Sequence, residues 1–150
     1  MSVSYMEIDL RAFRHNLRVI RSHLKNVPAL AVIKANAYGH GAVEIARFYE
    51  ELGADFFAVA RLNEALELRD HGITRPILNL GYTNPMTIED SIRNNVSMTV
   101  FDLELAREID KVAREIGIKA KIHLKLDTGM SRLGYVVLDD KVEDIAAEIK

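Results

Sequence analysis

Residues 29–41 read Ala-Leu-Ala-Val-Ile-Lys-Ala-Asn-Ala-Tyr-Gly-His-Gly, an apolar run that ends in Lys34 and continues into a loop with two glycines. The run has the length and composition of a buried strand, so Lys34 stands at a predicted strand end. An ammonium group there must enter a pocket, find a partner or reach water, because burying it unpaired is costly or lowers its pKa. A lowered pKa makes a lysine nucleophilic, as Schiff-base chemistry requires, whereas a strand-end lysine that extends to water has no such role.

The composition is that of an ordinary globular domain and excludes several classes of partner. Of the 150 residues, 49% are apolar and 28% are charged, which is enough for one domain with a real core. The net charge of -2, with acids and bases interspersed, leaves no basic stripe for nucleic acid and no polybasic membrane patch. The chain has no cysteine, no apolar run of bilayer-spanning length and a polar N-terminus unlike a signal peptide. We therefore expect a cytoplasmic protein with no nucleic-acid or membrane partner.

Strand and helix patterns alternate along the chain after an amphipathic helix that begins near Leu10. The predicted strands are 29–33, 56–60, 77–80, 96–100 and 118–126. The predicted helices between them are 42–52, 62–71, a short one at Pro85, and 103–116 with Asp102 and Gly117 as its caps. Alternation at this spacing predicts parallel βα units.

Five βα units are too few for a closed eight-stranded barrel, which generally needs about 200 residues or more. A further helix pattern, capped by Asp139 or Asp140, reaches Lys150 without a stop signal. We therefore expect residues 1–150 to be the first part of a parallel α/β barrel of the TIM type. A small open α/β sheet that is complete as it stands is the alternative.

The fifth predicted strand carries an unusual row of charges. Apolar residues alternate there with Lys119, Lys121, His123, Lys125 and Asp127, so a period of two places the charged set on one face. If the apolar face packs against the outer helices, the charged row enters the barrel, where function or pairing must account for it. A half-exposed edge strand with a hydrated polar face explains the same pattern, and the pattern alone leaves both open.

Two segments resemble the active-site motifs of alanine racemases, which are fold-type III pyridoxal-phosphate enzymes. Residues 32–41 resemble the cofactor-lysine motif of that family. Its later active-site segment is similar to Lys125-Leu126-Asp127-Thr128-Gly129-Met130-Ser131-Arg132-Leu133-Gly134-Tyr135. Both follow predicted strands, and parallel barrels hold their active sites at that end. The resemblance implies that residues 1–150 are the N-terminal portion of a cofactor-binding (β/α)8 barrel.

The resemblance also implies roles for four residues. Lys34 would carry pyridoxal 5′-phosphate covalently and act as one of two catalytic bases at the substrate α-carbon. Tyr38 would hydrogen-bond the cofactor phosphate. Arg132 would bind near the cofactor phenolic oxygen and the substrate carboxylate, a task suited to a planar and permanently charged group. Lys125 aligns with a catalytic-site lysine that is carbamylated in many relatives and orients that arginine.

The loop residues also have purely structural interpretations. Gly39 and Gly41 are expected to allow a tight turn. His40 is expected to be a turn or hydrogen-bonding residue, and we expect no metal site. For Tyr38, a ring packed on the barrel rim is the structural alternative to phosphate binding.

Several functional parts of alanine racemases have no counterpart in these 150 residues. They are the second half of the barrel, the C-terminal β domain, an arginine at the pyridine nitrogen, most of the phosphate loops and a second-base tyrosine from the partner subunit. The resemblance implies a parent homodimer that interconverts L- and D-alanine for peptidoglycan synthesis. The chain alone is expected to be inactive and to self-associate through open strand edges.

Three alternatives to that function remain open at this point. The first is a racemase of another small amino acid, such as serine. The second is a non-catalytic cofactor-binding protein of the related barrel fold. The third is a partial barrel that folds without a cofactor.

Overall fold

The computed structural model describes residues 5–25, 27–136 and 147, and its main feature is a sheet of five parallel strands in chain order. These strands are β1 Leu30–Val32, β2 Phe56–Val59, β3 Ile77–Asn79, β4 Val96–Val100 and β5 Ile122–Leu124. Each strand pairs in parallel with the next one along the chain. Because the order never reverses, right-handed crossovers place the connecting helices on the same face of the sheet. This confirms the predicted βα arrangement of a partial barrel.

Helices precede and connect the strands. They are α1 Leu10–Leu24, α2 Lys34–Tyr38, α3 Ala42–Glu51, α4 Leu62–Asp70, α5 Ile88–Arg93 and α6 Leu103–Ile116, with a 3₁₀ turn at Pro85–Thr87. After β5, the short strands β6 Leu126–Asp127 and β7 Tyr135–Val136 form a separate parallel pair.

Local capping explains why several helices begin and end where the sequence predicts. The side chain of Asp102 accepts a hydrogen bond from the Leu105 N–H at 2.7 Å, which fixes the start of α6. Gly117 ends that helix in the left-handed conformation, with φ of 69°. Asn84 caps the 3₁₀ turn in the same manner, by accepting from the Met86 N–H at 3.0 Å. The predicted bounds of α6 are therefore confirmed to the residue.

Two apolar clusters fill the space between the sheet and the helices. The larger joins outward-facing strand residues to α3 and α4, and its fully buried members include Phe57, Val59, Ile77, Ile45 and Leu68. The smaller joins β4 to α5 and α6 through Met98, Val100, Ile88, Leu105 and Ile109. Since these side chains lie on the helix face of the sheet, the helices cover that face only.

The fifth strand is shorter than predicted. Only Ile122–Leu124 pairs with β4, whereas the prediction ran from 118 to 126. The Lys125 N–H still donates to the Val100 carbonyl of β4 at 2.8 Å, but the Lys125 carbonyl accepts from the Tyr135 N–H of β7, also at 2.8 Å, so the chain leaves β4 at this residue. Strand pairing of this kind depends on a partner segment that the local pattern does not reveal.

His123, the member of the charged row that lies in β5, is on the face of the sheet away from the helices. His123 is paired with Thr99, while Ile122 is paired with Met98 of the smaller cluster, so the two β5 residues face opposite sides. All three residues of β5 are nevertheless exposed, since β5 is the last strand of the sheet. Both interpretations of the charged row therefore hold for His123. It faces the side of the sheet that the helices leave uncovered, and it also belongs to an exposed edge strand.

Apart from Ala147, which is helical, the predicted helix after Asp139 or Asp140 lies outside the described residues. Within the described part of the chain, none of the helices combines the length and apolar character that crossing a membrane requires.

Candidate active site

The segment after β1 is a helical turn of left-handed sense. Ala35, Asn36, Ala37 and Tyr38 all have positive φ, between 51° and 54°, and none of them is glycine. L-residues avoid this conformation, which costs roughly 1–2 kcal/mol for each residue. Four in succession persist only where the surrounding structure holds them.

Backbone hydrogen bonds hold this turn from both ends. The Ala37 N–H donates to the carbonyl of Ile33 at 2.9 Å, and the Gly39 N–H donates to that of Ala35 at 3.1 Å. The side chain of Asn36 closes the far end, because its Oδ1 accepts from the Ala42 N–H at the start of α3, at 2.7 Å.

The glycines and the histidine of the loop behave as predicted. Gly39 and Gly41 have φ of 88° and 89°, so both use the conformational freedom of glycine. His40 hydrogen-bonds the Ala37 carbonyl through Nδ1 at 2.8 Å and packs edge-on against the Phe13 ring of α1. His40 is thus a hydrogen-bonding turn residue. The left-handed stretch itself begins four residues before the first glycine, which the sequence did not indicate.

Lys34 and Tyr38 lie at the two ends of this turn with their polar groups available. The Lys34 side chain is half-buried and has no hydrogen bond or ion pair within the described residues. Tyr38 is 60% exposed, and its ring contacts no other described ring. That exposure does not favour the alternative of a tyrosine packed on the rim.

A residue outside both motifs anchors the first peptide of the turn. One carboxylate oxygen of Glu64, in the first turn of α4, accepts from the Ala35 N–H at 2.7 Å. Its other oxygen accepts from the N–H groups of Ala60 at 2.7 Å and Arg61 at 3.1 Å. Glu64 therefore joins the peptide that follows Lys34 to the end of the neighbouring strand. Sequence analysis missed it, although an acid at the third position of a helix is a capping signal.

The second motif is ordered by its aspartate and by its backbone. Oδ1 of Asp127 accepts from the N–H groups of Gly129 at 2.9 Å and Ser131 at 3.0 Å. Hydrogen bonds from Ser131, and next from Gly129, hold the pKa of the half-exposed Asp127 carboxyl below its usual range. An ionised Asp127 thus stabilises the loop that carries Arg132.

Close backbone contact also shapes this loop. A β-carbon on Gly134, where φ is 141°, would lie 2.5 Å from the Asp127 nitrogen, so this position requires glycine. Arg132 is exposed, and its guanidinium lies 2.9 Å from Sδ of Met130. Lys125 is half-buried, and within the described residues its ammonium has no hydrogen bond or ion pair.

The structure places both motifs at the carboxyl-terminal end of the sheet but at opposite edges of it. Lys34 follows β1 and Lys125 follows β5, which are the first and last of the five strands. Four strand spacings amount to roughly 19 Å along the sheet. No hydrogen bond or ion pair joins residues 34–41 to residues 125–134 in the described structure, where no group of metal-binding side chains occurs either. The site residues therefore share one end of the sheet without contacting one another.

Comparison with known proteins gives a consistent result. The family model of the alanine racemase N-terminal domain matches residues 8–150. An alanine racemase of Methanococcus maripaludis is 49% identical over 143 residues, which cover 94% of this chain and 38% of that protein. The chain thus spans less than two fifths of the length of this curated relative.

Solved structures share the fold of this chain at comparable coverage. The alanine racemase of Clostridium difficile 630 superposes with a TM-score of 0.86 at 47% identity, over 91% of this chain and 36% of that chain. A histidine racemase from Leuconostoc mesenteroides subsp. sake superposes with a TM-score of 0.81 at 35% identity, over 90% of this chain and 35% of that one.

Proposed function

The chain belongs to the family of the alanine racemase N-terminal domain, and from that membership we propose that it is the cofactor-lysine portion of a pyridoxal-phosphate-dependent alanine racemase. The observation that carries the proposal is Lys34, a half-buried lysine without a described partner at the end of β1. An amine in that position is open to bond formation with an aldehyde.

The residues present fit pyridoxal phosphate by their chemistry. Lys34 supplies the amine that a pyridoxal aldehyde needs, and Tyr38 supplies an exposed phenol that can donate to a phosphate oxygen. The left-handed turn fixes the backbone between these two groups. When bound, pyridoxal phosphate supplies an electron sink that stabilises negative charge at the substrate α-carbon.

In this proposal the second motif handles the anionic groups. The guanidinium of Arg132 would bind the substrate carboxylate and the cofactor phenolic oxygen with its planar donors. Lys125, whose backbone is fixed between β4 and β7, would orient that arginine. Once the cofactor is held, Lys34 would move a proton to and from the α-carbon.

The test is covalent trapping. The purified chain is incubated with pyridoxal phosphate, its visible absorption is recorded, and the product is reduced with borohydride and mapped by mass spectrometry. We expect labelling at Lys34 ahead of the other lysines. The Lys34→Ala variant should lose the absorption band and the label.

Lys121 is the matched control, because its ammonium is engaged by Oδ1 of Asn95 at 2.7 Å. Lys121→Ala should keep the label at Lys34. Labelling scattered over surface lysines, or surviving in Lys34→Ala, would contradict cofactor binding by this chain.

We further propose that residues 1–150 are the N-terminal portion of a longer racemase barrel and have little activity alone. Residues at both outer strands support this, since Leu30 of β1 and Leu124 of β5 are 40% and 37% exposed. Such open edges also favour self-association. Sizing chromatography should show assemblies larger than a monomer, and alanine racemisation by the chain should stay at background. A sharp monomer peak at high concentration would argue against self-association, and enzyme-like turnover would argue against inactivity.

The second candidate function is a racemase of another amino acid, and it is supported by the likeness of this chain to a histidine racemase. That likeness extends over nearly all of this chain, so these 150 residues do not by themselves select the substrate. Assaying the longer protein with alanine, serine and histidine would separate the candidates. Dominant turnover of alanine is expected.

A further inference from the structure

We propose that Glu64 is a positioning residue for Lys34, acting through the left-handed turn. It lies outside both motifs and is half-buried in the first turn of α4. The inference rests on the proposed function only where cofactor labelling is used as a readout.

The two oxygens of Glu64 serve different parts of the molecule. One caps the start of α4 through Ala60 and Arg61, which are its neighbours in sequence. The other accepts from the N–H of Ala35, which is 29 residues away. Since the cap uses only one oxygen, the helix start does not account for the second contact.

The contacted peptide is the one that determines how Lys34 leaves β1. Ala35 is the first left-handed residue, and its N–H belongs to the peptide bond that follows Lys34. Within the described residues, Glu64 is the hydrogen-bond acceptor for that N–H. Fixing this peptide plane fixes the start of the turn, and hence the direction in which the Lys34 side chain projects.

Substitutions at Glu64 can separate its two contacts. In Glu64→Gln the side-chain amide has one acceptor oxygen and an NH₂ group, so one set of backbone N–H donors loses its partner. In Glu64→Asp the carboxylate remains, and a helix cap is still available, but the side chain is one methylene shorter. Glu64→Asp therefore should keep α4 and release Ala35.

Glu50 provides a matched control away from Lys34. Its carboxylate also bridges two segments, by accepting from the N–H groups of Thr74 and Arg75, both at 3.0 Å. Glu50→Gln removes the charge from a bridge of the same type at the opposite end of the sheet, and its amide oxygen can still accept these bonds, because all of them meet Oε1. An effect that comes only from losing the charge of a bridging carboxylate would appear in Glu50→Gln as well.

The experiment compares the wild type, Glu64→Gln, Glu64→Asp and Glu50→Gln. The readouts are the rate of borohydride-trapped pyridoxal phosphate labelling at Lys34, relative to the other lysines, and the hydrogen exchange of the Ala35 amide by NMR. We expect both Glu64 variants to label Lys34 about tenfold more slowly and to exchange Ala35 about tenfold faster. Glu50→Gln should match the wild type in both readouts.

The inference is overturned if folded Glu64→Asp keeps wild-type labelling at Lys34 and wild-type exchange at Ala35. If the wild type itself shows no selective labelling, the proposed cofactor function fails. Exchange at Ala35, which needs no cofactor, then decides the role of Glu64 alone: unchanged exchange overturns it and faster exchange supports it.

Discussion

At the amino-terminal end of the sheet the guanidinium of Arg69 donates four hydrogen bonds to backbone carbonyls, whereas at the carboxyl-terminal end the ammonium of Lys34 has no described partner. The carbonyls belong to the segments that lead into β3 and β4, and their residues are Ile73, Arg75, Asn94 and Asn95. Arg21 acts similarly before β2, where it donates to the Leu52 carbonyl at 3.0 Å.

The difference indicates that charged residues at the amino-terminal end of the sheet stabilise the fold, whereas those at the carboxyl-terminal end are available for chemistry. Cations at the amino-terminal end donate to backbone carbonyls of the segments that lead into the strands, so they stabilise the fold. At the carboxyl-terminal end the backbone is strained and two lysines, Lys34 and Lys125, are left available. Parallel barrels hold their active sites at the carboxyl-terminal end and their stabilising contacts at the other.

The largest loss of stability is expected when Arg69 is substituted. Arg69→Met keeps an apolar stem of similar length but removes all four hydrogen bonds to carbonyls. We expect the free energy of unfolding in urea to fall by about 2–4 kcal/mol, because four carbonyls lose a charged donor and the bonds to Ile73 and Asn94 are partly buried. A loss below about 0.5 kcal/mol, the range of surface substitutions, would contradict a stabilising role for cations at the amino-terminal end.

The next largest loss of stability is expected at Gly81, where a substitution tests whether tight packing also matters at the carboxyl-terminal end of the sheet. A β-carbon on Gly81, after β3, would lie 2.3 Å from the carbonyl oxygen of Ala60. We expect Gly81→Ala to lower the unfolding free energy by about 1–3 kcal/mol, since backbone must shift to admit the methyl group. Gly72→Ala is a useful reference, because nothing lies within 4 Å of its β-carbon and only the backbone strain from φ of 83° remains. A loss below about 0.5 kcal/mol in Gly81→Ala, the range of surface substitutions, would show that the close contact is relieved without cost.

A smaller effect is expected from the carboxylate of Glu50 when the pH is lowered. Partial burial raises the pKa of Glu50, but hydrogen bonds from Thr74 and Arg75 outweigh it and bring the pKa below its ordinary value of 4.5. A depressed pKa means that this stabilisation is complete above about 4.5 and is lost as the pH falls through the lower folded-state value. The melting temperature of Glu50→Gln should therefore fall less steeply below pH 4.5 than that of the wild type. If the melting temperatures of the two proteins fell equally steeply below pH 4.5, Glu50 would not be the source of this pH dependence.

The smallest effect on stability is expected for Lys34. Lys34→Met removes a cation that has no described partner, so the unfolding free energy should change by less than about 0.5 kcal/mol. A loss comparable to that of Arg69→Met would mean that Lys34 also supports the fold, and the contrast between the two ends would disappear.

The sequence predicted those elements whose signals are local. Helix α6 was predicted to the residue because Asp102 and Gly117 mark its ends by their own side-chain chemistry. Strand β4 was likewise predicted with its observed bounds, since its apolar and polar residues alternate with the period of two typical of a strand. The alternation of such elements was enough to predict the partial barrel.

Features that depend on distant contacts were not predicted. The length of β5 follows from where β4 and β7 offer partners. The left-handed turn begins at Ala35, although the sequence pointed to the glycines at 39 and 41. The Ala35 N–H donates to Glu64, which is 29 residues away and gives no local signal. The two motifs were found from sequence, but the roles of Lys34, Tyr38, Lys125 and Arg132 stay predictions until labelling or activity is measured.

The left-handed turn also affects the order in which the chain folds. L-residues do not adopt this conformation on their own, so residues 35–38 cannot nucleate it in the unfolded chain. The Ala35 N–H meets Glu64 only after β1, β2 and the start of α4 have assembled. We therefore expect the peptide next to Lys34 to be among the last parts of the molecule to reach its native geometry, after the core around Phe57 has already formed.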